Sequence, residues 1–108
     1  MKESIDFSLH NLPMLLSANQ EEDYQERIIQ KSTVLLSFLI EKELLINIEP
    51  FDSEGNIKTD IIIRISNVTE EGLELFKSSI PKWFNYLDRG GKITNITRLE
   101  RDLEKIRL

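Results

Sequence analysis

Residues 33–76 read TVLLSFLIEKELLINIEPFDSEGNIKTDIIIRISNVTEEGLELF, and the division of this stretch decides the fold. Val34, Leu35, Leu36, Phe38, Leu39 and Ile40 form an apolar run broken only by Ser37. The run is too short to span a bilayer, which takes about 20 apolar residues. Periodicity alone leaves it as a buried strand or a buried helix segment. The polar stretch 20–31 upstream holds no breaker, which favours a helix running in from there. Leu44, Ile46 and Ile48 then alternate with Asn47 and Glu49, the period of a half-buried strand. Pro50 ends it, because proline has no N–H for a sheet ladder. Asp52-Ser53-Glu54-Gly55-Asn56 is a turn cluster, with Gly55 free to take positive φ. Ile61, Ile63 and Ile65 alternate again, and β-branched side chains suit a pleated surface. The two alternating segments are expected to pair as an antiparallel hairpin with these isoleucines on the core face.

Downstream, Asn67 or Thr69 is placed to cap a helix, and Glu70 and Glu71 fall in its positive first turn. Leu73, Phe76, Ile80, Trp83 and Leu87 follow at spacings of three and four, one apolar stripe. Pro81 lacks an N–H and crowds the carbonyl of Lys77, so a kink or short break is expected with the stripe kept in phase. Asp88-Arg89-Gly90-Gly91-Lys92 should end this helix through a left-handed glycine cap. A phosphate-cradling role for Arg-Gly-Gly-Lys ranks well behind, since neither a P-loop nor a dinucleotide fingerprint is present. Ile96, Leu99, Leu103 and Ile106 mark a last amphipathic helix, with Thr94 or Asn95 as its cap. Its other faces mix acids and bases, the pattern of a solvated surface.

Upstream, Ile5, Phe7 and Leu9 alternate with Asp6, Ser8 and His10, which suggests a short strand beside the hairpin. Asn11-Leu12-Pro13 permits a turn or a helix start. Asn19-Gln20-Glu21-Glu22 carries a capping-box pattern ahead of the helix that leads into residues 33–40.

At 108 residues the chain is expected to form one domain, 1–108, with a single core. The expected class is α+β: helices packed on an antiparallel β-hairpin or small sheet, ending in two amphipathic helices. The first residues, Met1 to Asp6, have no apolar leader segment. There is no cysteine, and a cytoplasmic location is expected.

Charge is uneven. Residues 1–54 carry 4 Lys/Arg against 11 Asp/Glu, and residues 55–108 carry 10 against 8. An acidic front half repels a phosphate backbone and attracts a basic partner. With one histidine and no cysteine, a four-ligand zinc site is not expected. Nothing around His10 resembles a nucleophile elbow. Asp52, Glu54 and Asn56 alternate like oxygen ligands, but EF-hand spacing is missing, so a hairpin turn is the better reading. The expectation is a non-enzyme with no cofactor and no metal.

Two resemblances bear on function. Leu39-Ile40-Glu41-Lys42-Glu43-Leu44-Leu45-Ile46, then a turn, then Val68-Thr69-Glu70-Glu71-Gly72-Leu73-Glu74-Leu75, resembles the end of the recognition helix, the wing and the following helix of winged-helix regulators. That would imply a DNA-binding transcriptional regulator with a winged-helix-like fold. The segment before the wing, however, is acidic or apolar where the family is basic. Residues 81–94, PKWFNYLDRGGKIT, followed by Leu99-Glu100 and Leu103-Glu104, look like small bacterial immunity proteins of contact-dependent growth-inhibition toxin systems. This second resemblance implies an immunity or antitoxin-type module that neutralises a cognate toxin domain, a basic nuclease. The acids expected to meet such a partner are Glu21, Glu22, Asp23, Glu26, Glu49, Asp52 and Glu54. Under this reading the partner is protein, not nucleic acid or membrane. The long apolar stripe is also compatible with a homodimer.

Overall fold

The computed structural model describes residues 5–108. The part of the leader reading that rests on residues 1–4 lies outside the described residues. The elements in order are strand β1 (Ser8–Asn11), helix α1 (Leu12–Ser17), helix α2 (Glu22–Glu41), strand β2 (Ile62–Arg64), a 3-10 turn (Ile65–Asn67), and helices α3 (Glu70–Lys77), α4 (Ser79–Asp88) and α5 (Thr97–Arg107). The fold is α+β, with helices packed on a two-stranded antiparallel sheet.

The apolar run is helical, as its unbroken polar lead-in indicates. It forms the second half of α2 and buries Leu35, Leu36, Phe38 and Leu39. Glu43 then ends the helix at φ 59°. Leu44 N–H donates to Leu39 O at 2.8 Å and Glu43 N–H to Ile40 O at 3.0 Å. This is a Schellman closure with glutamate where glycine is usual.

The expected hairpin between residues 44–48 and 61–65 does not form. Asn47 sits at positive φ inside this segment, which breaks the pleat that the alternation of Leu44, Ile46 and Ile48 implied. That segment makes only an isolated bridge, Leu45 to Val68, flanked by Ile46 N–H to Asn67 O at 2.8 Å and Thr69 N–H to Leu44 O at 3.0 Å. The true partner of β2 is the N-terminal strand: Ser8 pairs with Arg64, His10 with Ile63 and Asn11 with Ile62. The register shifts between Ser8 and His10. Across the shift Ser8 is exposed and His10, of the same parity, is buried, as expected where a bulge turns a strand's faces over. Ile5 and Phe7, expected on the core face, are more than half exposed.

The 52–56 turn is as expected. Asp52 Oδ1 accepts from the N–H groups of Glu54 (2.9 Å) and Asn56 (3.0 Å), and Gly55 takes φ 85°. Thr69 caps α3 by accepting from Gly72 N–H at 3.1 Å. Gly72 lets this helix lie against Leu44, because a Cβ there would stand 3.2 Å from Leu44 O. The chain breaks at Ser78, three residues before Pro81, with φ −127° and ψ −61°. Pro81 thus becomes the third residue of α4, where a missing N–H costs nothing. Ile80, Trp83 and Leu87 of the expected stripe are buried, while Leu73 and Phe76 before the break are half-buried against the same core and Leu75 takes the fully buried position in α3. Arg107 ties three helices, donating from Nε to the Glu71 carboxylate at 3.2 Å and from Nη2 to Lys42 O at 2.8 Å.

Two expected caps sit differently. Asn19 does not cap α2; its Oδ1 accepts from Glu21 N–H at 2.9 Å, and Glu21 occupies the cap position without a side-chain bond. Ile96 holds the cap position of α5, and Asn95 Oδ1 accepts from Thr97 N–H at 3.3 Å from one residue further out.

Candidate functional site

Four of the seven expected contact residues lie at the start of α2, Glu21 at its cap and Glu22, Asp23 and Glu26 in its first turns. Tyr24 Oη donates to Leu15 O at 3.0 Å, and Gln25 Nε2 donates to Asn19 O at 2.7 Å and to Leu16 O. These bonds satisfy carbonyls at the end of α1 and fasten the start of α2 in place. Glu21, Glu22, Asp23 and Glu26 remain exposed. At 100° per residue, Glu22 and Glu26 share one face of α2, and Tyr24, Arg27, Ile28 and Lys31 occupy another. Glu49, Asp52 and Glu54 are exposed in the loop after α2. The Asp52 carboxylate already organises its own turn through two amides. The two ion pairs among the described residues, Lys77–Glu74 and Arg107–Glu71, use none of the seven. The acids therefore stand as two groups on two elements, with no hydrogen bond joining one group to the other among the described residues.

A second feature escaped the sequence reading. The end of α4, the turn after it and the start of α5 frame an open groove of about 860 Å³. Among the described residues Lys82, Asn85, Tyr86, Arg89, Gly90, Gly91, Lys92, Asn95 and Arg98 line it, four cations and no acid. A neighbouring cleft shares Tyr86, Asn95 and Arg98 and adds Thr97, Arg101 and, at its floor, the buried Trp83. Two side chains of α4 hold this surface in shape. Trp83 Nε1 donates to Asn95 O at 3.0 Å, and Tyr86 Oη accepts from Lys92 N–H at 3.2 Å and Asn95 Nδ2 at 3.0 Å. Gly90, at φ 93°, and Gly91 close α4 by donating to Leu87 O and Tyr86 O. Every backbone N–H from Gly90 to Lys92 is thus occupied, so the Arg-Gly-Gly-Lys turn has no amide cradle to offer a phosphate. Its cations remain. In the linear sequence they are hidden, because Asp88, Glu100 and Asp102 stand beside them.

The one histidine serves the core. His10 Nε2 lies 2.8 Å from Ser32 Oγ, and Phe84 packs near the ring with Lys31 Nζ 4.6 Å from the Phe84 centroid. Burial, with Lys31 adding to it, lowers the His10 pKa to about 4. At neutral pH such a ring is a poor base, and among the described residues no carboxylate orients it, so the pair lacks the geometry of a nucleophile–base arrangement. Burial also lowers the Lys31 pKa, against the opposing pull of Asp88.

Among the described residues no three acids or histidines are placed to hold a metal ion, and no helix is long and apolar enough to cross a membrane. No family model, curated protein or solved structure matches the chain. Fold and surface together define a small α+β protein with an acidic helix start and a separate basic groove.

Proposed function

We propose that the protein is a binding module of the immunity or antitoxin type. It works in the cytoplasm, without catalysis, and neutralises a basic toxin domain, a nuclease, through electrostatic complementarity. The observation that carries this reading is the start of α2. Glu21, Glu22, Asp23 and Glu26 are exposed there, and none engages in an ion pair among the described residues. The same turns are anchored to α1 by Tyr24 and Gln25. Charges held on a rigid element steer a partner of opposite sign and raise the association rate. Glu49, Asp52 and Glu54 would extend the negative surface.

The test is kinetic. The protein is immobilised, its stoichiometric basic partner is recovered from nuclease-treated lysate of the source cell, and association is followed by stopped flow. The triple variant Glu22→Lys, Asp23→Lys, Glu26→Lys should slow association about tenfold or more at low ionic strength, with the difference shrinking as salt rises. Equal on-rates for variant and native protein at low salt would remove the assignment.

A further inference from the structure

The groove between α4 and α5 points to a second binding activity, independent of the acidic surface. We infer that it takes a single-stranded nucleic acid through the phosphodiester backbone. Lys82, Arg89, Lys92 and Arg98 line one continuous groove with no acid among its lining residues, and Arg101 carries the positive lining into the adjoining cleft. None of the five forms an ion pair among the described residues, in a chain whose net charge is −5. Cations gathered on one surface of an acidic protein are not explained by solubility, which the acids already supply.

Three features select the ligand. First, the amides of Gly90, Gly91 and Lys92 are consumed within the fold, so a compact phosphate has no backbone nest. Second, the groove is open, unlike the enclosed pockets that hold small molecules. Third, a protein partner would need an aromatic or aliphatic anchor. Trp83 is fully buried, and Tyr86 is committed to Gly91, Lys92 and Asn95. An extended polyanion needs no such anchor. Its affinity comes from cations that displace condensed counterions, and Arg and Lys supply that from side chains alone. Binding through phosphates alone carries no base selectivity.

The experiment is fluorescence anisotropy of a labelled twelve-nucleotide oligouridylate with the full chain. With about four phosphate contacts, the logarithm of affinity should fall with that of salt at a slope near −3, about 50-fold weaker at 200 mM than at 50 mM salt. The double variant Arg89→Glu, Lys92→Glu should weaken binding at least tenfold and flatten the slope. Lys105→Glu, on α5 outside the groove, should change little. Native Trp83 emission in each variant establishes that the fold is intact. No binding at 50 mM salt, or equal loss in the Lys105→Glu control, overturns the inference. So does displacement of the oligonucleotide by tripolyphosphate at equal total phosphate, since the groove would then take a compact phosphate as well as an extended chain. The acidic residues of α2 are untouched in these variants, so this result and the toxin-binding result stand or fall separately.

Discussion

His10 on β1 and Ser32 on α2 meet across a 2.8 Å hydrogen bond inside the core, where the histidine is 4 % exposed. The bond is what lets a titratable ring occupy an apolar position, since a buried polar group without a partner costs about 1–3 kcal/mol.

That arrangement makes stability depend on pH. In the folded protein His10 stays neutral down to about 4, while unfolded it takes up a proton near 6.5. Between those values the unfolded state binds more protons, so stability rises with pH through the window and levels off above it. The shift corresponds to a loss on the order of 3 kcal/mol between pH 7 and pH 4. Urea unfolding across this range is the measurement. His10→Gln, which keeps a hydrogen-bonding partner for Ser32, should show a shallower dependence by this amount. Parallel curves for the two proteins would contradict the assignment.

The end of α2 carries strain that a single change relieves. Glu43 holds φ 59° in a Schellman closure, where a side chain costs about 1 kcal/mol relative to glycine. Glu43→Gly removes that strain, and part of the gain is offset by the extra freedom of the unfolded chain. The expected result is stabilisation of up to about 1 kcal/mol by chemical denaturation, with an unchanged dependence on urea. A destabilised variant would mean that the Glu43 side chain has a role of its own.

The turn after α4 is built around a close approach of Gly91 to the Tyr86 ring, where a Cβ would overlap the ring atoms. Gly91→Ala should therefore destabilise by about 1–3 kcal/mol. In the background of Tyr86→Ala the same substitution should cost little further, because the clash has gone. A double-mutant cycle by thermal unfolding checks this. Additive costs would mean that the contact with Tyr86 is not what requires glycine at position 91.

Helices were legible wherever one apolar stripe was met by local punctuation. Thr69 before two glutamates, the glycine pair after Asp88 and the alternation of Leu99 with Leu103 each announce their element. The helix end at Glu43 was not, because no glycine marks it. Residues 44–48 read as a strand for a similar reason: the alternation is present, but Asn47 at positive φ interrupts the backbone that would realise it. For the sites the contrast is similar. The exposure of the seven acids follows from their polarity. The basic groove had no linear signature, since its cations come from α4, the following turn and α5.

By itself, then, the sequence determined the α+β class, the helical stripes, the Asp52–Asn56 turn and the acidic bias of the first half, all of them properties of neighbouring residues. The tertiary structure decided which strands pair, because β2 chooses between segments 44–48 and 8–11 by what each backbone can sustain over distance. It also decided which charges act together. Packing α4 against α5 turns Lys82, Arg89, Lys92 and Arg98 to one surface, away from the acids that accompany them in the chain. Sequence spacing specifies a helix face, but only the docking of two helices specifies a groove.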